Sequence, residues 1–301
     1  MSDTTLRPGL AAPATDAPAA ADWLLLFAPG AIWGASFLFM AEGLKALGPS
    51  GVTFVRIAIG CATLSLLPAS RKPVPREAWP GIAWLGVLWL ALPLSMFPFA
   101  EQRVSSALTG MLNGAVPLAA AIVASVLARR LPPGRVAAGL AVGLAGAVMM
   151  ALPALGEGRS SSFGILMILV AVLAYGFVPS LARALQQKHG ALPVIWRAEI
   201  VAVVLTAPLG VPDLLHAHWT LVPLLSMLAL GALGTGLAHA LMTVATGRLG
   251  ATRASSTAFL MPAVALVLGV VVLRESVAWM AVAGGAACVG GAWLMKRAAS
   301  A

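Results

Sequence analysis

Long apolar runs separated by short polar stretches dominate the pattern of this chain. A helix needs about twenty apolar residues to cross the hydrocarbon core of a bilayer. Ten stretches approach that length: Trp23 to Ala41, Pro49 to Pro68, Gly81 to Phe99, Val104 to Ala128, Arg135 to Leu152, Phe163 to Leu185, Pro193 to Gly210, Leu221 to Thr246, Ala254 to Leu273 and Ala278 to Met295. The pattern therefore predicts ten membrane-spanning segments.

These segments are predicted to be helices. Hydrocarbon offers the backbone no water to bond, so a spanning segment is either a helix or a strand of a closed barrel. Alternation with a period of two is absent, and the runs are too long for barrel strands. The composition agrees, because 60% of the residues are apolar, 10% are charged and the mean hydropathy is +0.96. We expect an all-α membrane protein.

The chain repeats itself with an offset of 145 residues. This offset aligns Arg103 with Arg248, Pro117 with Pro262, Arg129 with Arg274, Gly139 with Gly284 and Gly146 with Gly291. Each copy holds five spans, an odd number, so the second copy enters from the opposite face and the copies form an inverted pair, as in transporters. We expect five-helix repeats over residues 23–155 and 163–297, preceded by a disordered tail over residues 1–22.

Lysine and arginine are distributed unequally between the two faces of the predicted bundle. Thirteen fall in the tails and the even-numbered connections, and four fall on the opposite face. Because basic loops remain in the cytoplasm, both termini are predicted to be cytoplasmic. The net charge of +9 is scattered over the loops. It suits anionic lipid headgroups and forms no stripe for nucleic acid.

Several motifs, taken together in order and spacing, resemble those of one transporter family. In chain order they are Ile32-Trp33-Gly34-Ala35-Ser36-Phe37, Arg56 in the second span, Ala100 to Pro117, Arg248 to Pro262, Leu273-Arg274-Glu275 and Gly284 to Gly291. They are similar to those of the EamA-type members of the drug/metabolite transporter superfamily. The likeness covers nearly the whole chain after the tail.

The resemblance implies a carrier that exports amino acids, metabolites or drugs. It also implies a cavity among the first, third, fourth, sixth, eighth and ninth helices. One departure is visible, because the first copy reads Ala128-Arg129-Arg130-Leu131 and lacks the acid that the second copy has at Glu275. The role of that acid in the first half is therefore open.

Polar and aromatic residues within the spans of those six helices are the candidate substrate-binding residues. A polar group in lipid is costly and marks either a cavity or a helix interface. The candidates are Trp33, Ser36, Trp89, Asn113, Tyr175, His239 and Thr257. The amide of Asn113 suits a carboxylate or an ammonium group, and the aromatic rings suit an apolar side chain or a cation. The alternatives are lipid-interface anchors for the rings and helix packing for the polar groups.

Two ionisable residues within the spans, Glu199 and His239, are the candidates for proton coupling. The alternative for Glu199 is pairing with Arg197 or a neighbouring helix, and His239 could simply bond a neighbouring helix. Arg56 is assigned a structural role, as are the paired Pro117 and Pro262, where helix kinks could form a hinge. Arg56 has two interpretations, a helix-packing anchor or a group that faces an anion.

The sequence and the resemblance thus predict a secondary transporter of a bacterial inner membrane that exports amino acids or related small metabolites by alternating access. Its expected partners are a small-molecule substrate and the lipid bilayer, without nucleic acid, cofactor or metal, and pairing of two copies is left open. The alternatives are a passive facilitator or channel and a membrane-embedded enzyme. The enzyme is disfavoured because neither Ser36 nor His239 lies in a nucleophile or oxyanion motif.

Overall fold

All secondary structure in the described part of the chain is helical. The structure, a computed structural model, describes residues 20–156, 159–249 and 254–299. Ten longer helical segments occur within these ranges: α1 Ala20–Gly43, α2 Pro49–Ser65, α3 Arg76–Glu101, α4 Ser106–Ala128, α5 Gly134–Leu155, α6 Arg159–His189, α7 Ala191–Leu215, α8 Leu221–Thr246, α9 Thr257–Val271 and α10 Trp279–Ala299.

Seven of these helices, namely α1 and α3 to α8, are long and apolar enough to cross a membrane. The prediction of an all-helical membrane protein is thereby confirmed for the described residues, and the number of ten crossings stays a prediction. The predicted tail lies outside the described residues up to residue 19, and α1 begins at Ala20, slightly before the expected Trp23.

Helices α3 and α8 each contain a π-helical stretch at matching positions in the two halves. The stretch covers Gly86–Ala91 in α3 and Leu230–Leu237 in α8. A π turn bonds each N–H one residue further back than an α turn and occurs frequently at functional sites. The offset of 145 residues therefore relates local backbone geometry as well as residue types.

Helices α4 and α9 are both interrupted just before the paired prolines. α4 breaks between Ser106–Asn113 and Val116–Ala128. α9 begins inside a 3₁₀ turn that spans Ser255–Phe259 and continues as the α-helix Leu260–Val271. Pro117 and Pro262 thus lie in the first turn of a new helical piece, where a missing N–H leaves no helix bond unmade.

The ends of these two helices are also matched. Arg129 after α4 and Arg274 after α9 are the two non-glycine residues with positive φ in the described chain, at 50° and 54°. A left-handed residue closes a helix by letting its N–H reach back to the last turn, and the N–H of Arg129 bonds the carbonyl of Val126.

Helix α5 packs against α10, its counterpart in the other half, with the two helices antiparallel. A β-carbon on Gly139 would lie 2.7 Å from the carbonyl oxygen of Gly291, and one on Gly146 would lie 2.5 Å from that of Gly284. Later residues of α5 therefore meet earlier residues of α10. Only glycine permits this close approach of two helix backbones.

Two other pairs of helices that are counterparts in the two halves also pack antiparallel. In α4 and α9, Asn113 contacts Met261, and Ala107 approaches Gly269. α2 and α7 also pack together, with Gly51 at the start of α2 bonded to Asp213 at the end of α7. Each half therefore lies upside down relative to the other.

The remaining contacts respect the same symmetry. α1 packs against α8 and α9, and α6 packs against their counterparts α3 and α4. Likewise α2 packs against α8, and α7 packs against α3. A large buried cluster joins side chains of both halves, including Phe37, Leu112, Ile168 and Met261. The two halves therefore share a buried core.

Candidate functional site

A cavity of about 520 Å³ lies between the two halves. Its walls come from α1, α2, α3, α4, α6, α8 and α9. All seven residues predicted to bind substrate line it: Trp33, Ser36, Trp89, Asn113, Tyr175, His239 and Thr257. The six helices named by the family resemblance all contribute, and α2 adds Arg56. The structure thus brings the predicted residues together, and their role in binding stays a prediction.

Aromatic rings form much of the wall around His239. The ring of His239 meets Trp33 and Trp89 at centroid distances of 5.6 and 5.4 Å, both edge to face. On another side, Phe97 lies 6.0 Å from Tyr175. Such rings present a large apolar surface with electron-rich faces, which suits the apolar part of a solute.

The π-helical stretch of α8 organises the polar groups of this wall. The carbonyl of Gly234 accepts a hydrogen bond from Trp33 Nε1 at 2.9 Å, and the carbonyl of Thr235 bonds His239 Nδ1. The Thr235 hydroxyl, fully buried, accepts from Arg56 Nε at 3.0 Å. Sequence analysis missed Thr235, whose only signal was a threonine between two glycines inside a span.

Arg56 is a buried cation on the cavity wall, with 6% of its surface exposed. Its bond to Thr235 links α2 to α8, as the structural interpretation expects. The same side chain also faces the cavity, as the anion interpretation expects. The two interpretations are therefore compatible in this structure.

Glu199 lies behind the cavity wall and does not line it. Its side chain is fully buried, and one carboxylate oxygen lies 3.8 Å from His239 Nδ1. Pairing of Glu199 with Arg197, one of the expected alternatives, is wrong, because Arg197 donates to the backbone carbonyls of Pro193 and Ser70. The two side chains leave α7 in different directions, as residues two apart on a helix do.

Asn113 contributes a side-chain amide to the cavity wall. Its amide nitrogen lies 3.6 Å from the sulfur of Met261, and its carbonyl oxygen is buried without a hydrogen-bond partner among the described residues. The hydroxyls of Ser36 and Thr257 are already used, since they donate to the carbonyls of Ile32 and Leu26. Asn113 thus retains an unused acceptor, whereas these two hydroxyls have donated their hydrogens.

The paired prolines have different places. Pro117 lines the cavity. Pro262 is not among its lining residues and packs against Gly114 of α4, where a β-carbon would lie 2.5 Å from its ring. A role of either proline as a hinge stays a prediction.

A model of the EamA-like transporter family matches this chain twice, over residues 22–152 and 162–297. The chain belongs to the EamA-like transporter family. The resemblance seen in the motifs is confirmed, and this EamA protein is a multi-pass membrane protein of the drug/metabolite transporter superfamily.

Other comparisons add the fold alone. Of 17 solved chains that match, one described as "Crystal structure of protein" is 20% identical, with a TM-score of 0.63, and the match covers 94% of this EamA protein and 100% of that chain. No curated protein matches the sequence.

The structure also explains the acidic helix ending of the second EamA repeat. The carboxylate of Glu275 accepts hydrogen bonds from the backbone N–H groups of Ser106 and Ala107, at 2.8 and 2.9 Å. It thereby caps the first turn of α4, whose N–H groups have no partner within the helix. The counterpart position in the first repeat is Arg130, which has no carboxylate to cap a helix. The sequence could not reveal the capping by Glu275, because the N–H groups that it accepts from lie in the other half.

Proposed function

We propose that this EamA protein is a secondary transporter of the bacterial inner membrane that exports amino acids or related small metabolites. In this proposal ten helices cross the membrane as two inverted five-helix repeats, and both termini are cytoplasmic. The observation that carries it is the cavity walled by both halves of an antiparallel duplicated bundle. Substrate sites of inverted-repeat transporters lie at the interface between their repeats.

This arrangement supports alternating access as the mechanism. Because the two halves make equivalent contacts, each can adopt the conformation of the other. The cavity is then closed towards the opposite face of the membrane. The interruptions of α4 and α9 before Pro117 and Pro262 provide points at which helix pieces can bend next to the site. We assign these prolines to the hinge of that movement.

The cargo is inferred from the cavity wall. A volume of about 520 Å³ lies within the range of small-molecule sites. The wall is largely apolar and aromatic, with few polar groups, and this matches a solute that has an apolar body and a polar end. The hydroxyl of Ser36 donates to its own helix, an arrangement that supports a binding wall over an activated nucleophile.

Counterflow in liposomes tests the carrier. Purified full chain is reconstituted, the vesicles are loaded with unlabelled amino acids or metabolites, and uptake of labelled solute is followed against protein-free vesicles. A carrier gives transient accumulation driven by the internal solute, whereas a passive channel gives only equilibration. If none of a broad panel accumulates, the carrier proposal fails.

A pair of tryptophan variants tests whether the solute passes through the cavity. Trp89 lines the cavity, and Trp84 of the same helix is 62% exposed on the outer surface. We expect Trp89→Ala to slow counterflow about tenfold or more, because a large contact surface is lost, and Trp84→Ala to leave it near the wild-type rate. Equal effects of the two substitutions would place the route elsewhere.

Proton coupling, if the carrier uses it, is assigned to Glu199 and His239. The carboxylate of Glu199, on α7, lies beside His239 of α8. It is also close enough to Arg56 and Cys61 of α2 to interact with them electrostatically. Transport is measured with and without a pH gradient in Glu199→Gln and His239→Ala. We expect at least one variant to lose the gradient dependence while retaining counterflow at equal pH. Unchanged dependence in both variants clears these residues of the role.

A further inference from the structure

Arg56 gives the cavity its charge. Among the described residues that line it, Arg56 is the one permanent cation, and no aspartate or glutamate is present. Burying a cation is costly unless an opposite charge or several acceptors compensate. Glu101 and Glu199 are close enough to attract Arg56, but neither forms a salt bridge with it in the described chain. Arg56 therefore places on the cavity wall a positive charge without a salt-bridge partner in the described part of the chain, and this charge attracts a negatively charged group of a solute in the cavity.

The guanidinium of Arg56 is held in place while its outer nitrogens remain unused. Its Nε donates to Thr235 Oγ1 at 3.0 Å, and the two terminal nitrogens have no hydrogen-bond partner among the described residues. Thr235 is itself held, since its hydroxyl donates to the carbonyl of Leu230 at 3.4 Å. A guanidinium fixed at Nε presents its remaining N–H groups to a carboxylate with little further loss of freedom.

Asn113 provides a second, independent point of recognition. Its Oδ1 is a buried acceptor without a partner, and the residue is 6% exposed on the cavity wall. Leaving a buried acceptor unsatisfied is costly, so a solute that donates a hydrogen bond there gains that energy. An ammonium group next to a carboxylate is such a donor.

We propose that Arg56 binds the carboxylate of the transported solute and that Asn113 Oδ1 accepts a hydrogen bond from its amino group. This inference rests on the proposed function and narrows its substrate class to carboxylates with an apolar body, with the zwitterion bound best. The rings of Trp33, Trp89 and Tyr175 surround the apolar body. A solute without a carboxylate leaves Arg56 unpaired and is rejected.

A series of leucine analogues tests the proposal on the purified full chain. Leucine has both charged groups, 4-methylpentanoate lacks the amine, and leucinamide and 3-methylbutylamine lack the carboxylate. Ligand binding is read as thermal stabilisation over a concentration series, without transport. We expect leucine to bind best, 4-methylpentanoate to bind more weakly, and the two compounds without a carboxylate to bind about tenfold or more below leucine.

Variants of Arg56 test the assignment, and a variant of Arg197 in α7 is the control. Arg56→Gln should remove the preference for carboxylates, and Arg56→Lys should retain part of it because the charge remains. Arg197→Gln changes an arginine that does not line the cavity, donates to backbone carbonyls and lies over the Trp196 ring, so it should retain the wild-type preference. Asn113→Leu should lower the binding affinity for leucine to that for 4-methylpentanoate.

The results distinguish a failure of carboxylate binding by Arg56 from a failure of the transport proposal. Equal binding of leucine and leucinamide by the wild-type protein overturns the assignment of Arg56, even where Arg56→Gln fails to fold. Absence of binding by every compound in the series also overturns it. In either case, counterflow of other solutes would leave the transport proposal standing, and failure of counterflow with intact carboxylate binding would reject transport alone.

Discussion

Thr235 connects the residues around the cavity at the level of single side chains. Its hydroxyl accepts from Arg56, and its backbone carbonyl bonds His239. One residue in a π-helical stretch thus orients both the cation and the imidazole. Because the stretch shifts the backbone bonding by one residue, its carbonyls are available to side chains.

Replacing Thr235 by valine should loosen Arg56. The shape is nearly kept, but the acceptor for Arg56 Nε is lost, and we expect a loss of about 1 kcal/mol in stability together with weaker leucine binding. Thermal denaturation in detergent with and without leucine measures both. Thr63→Val is the matched control, because the one hydrogen bond of the Thr63 hydroxyl within the described part of the chain goes to the carbonyl of Ile59 in its own helix. Equal effects of the two variants would remove Thr235 from this role.

The ends and contact faces of the helices determine how the halves hold together. Glu275 caps α4 from the end of α9, and Asp213 caps α2 by accepting from the N–H of Gly51 at 2.9 Å. Both acids belong to the second half and cap helices of the first. A carboxylate at a helix start is favourable because the free N–H groups carry partial positive charge.

Removal of the carboxylate charge at Glu275 should weaken this junction. We expect Glu275→Gln to lower the stability by about 1 to 2 kcal/mol, because two charge-assisted bonds to backbone N–H groups are weakened. Glu42→Gln is the control, since Glu42 pairs with Lys45 in an exposed contact that contributes little. Thermal unfolding followed by tryptophan fluorescence gives the comparison, and equal midpoints in the two variants would contradict the capping role.

The contact of α5 with α10 should tolerate no side chain at Gly146. A methyl group there would lie 2.5 Å from both the carbonyl oxygen of Gly284 and the amide nitrogen of Cys288, so the helices must separate. We expect Gly146→Ala to cost about 1 to 3 kcal/mol. Gly290→Ala, in open space on α10, should be neutral or slightly stabilising. Detergent stability of both variants checks this, and an unchanged Gly146→Ala would refute the close contact.

On the scale of the whole molecule, the two halves enclose the cavity as antiparallel counterparts. An odd number of crossings per half is the simplest cause of this arrangement. Both termini would then lie on one side of the membrane. Lys45, after α1, would lie on the other side, and the basic residues at the end of α10 would lie with the termini.

Cysteine labelling tests this orientation. In a background with Cys61 and Cys288 replaced by alanine, Lys45→Cys and Arg297→Cys are labelled with a membrane-impermeant maleimide. We expect Lys45→Cys to react in right-side-out vesicles and Arg297→Cys to react in inside-out vesicles. Both positions are exposed in the structure. Labelling of both from the same side would contradict the odd number of crossings between them.

The sequence alone determined the helices and much of the cavity lining. Run length and apolar composition predict membrane helices because each helix must satisfy its own backbone in lipid. The repeat offset aligned Arg129 with Arg274 and Pro117 with Pro262, and the structure has matching backbone features at both pairs. Polar and aromatic residues on six helices, chosen with the help of the family resemblance, did converge on one cavity.

Only the tertiary structure decided which side chains meet. Arg56 and Thr235 are 179 residues apart, and Glu275 bonds Ser106 across 169 residues. Position along a span indicates depth in the membrane, but it does not indicate the direction of a side chain around the helix axis or its partner on another helix. For that physical reason the sequence left open whether Glu199 pairs with Arg197 or with a neighbouring helix, and the tertiary structure places it beside His239 of α8.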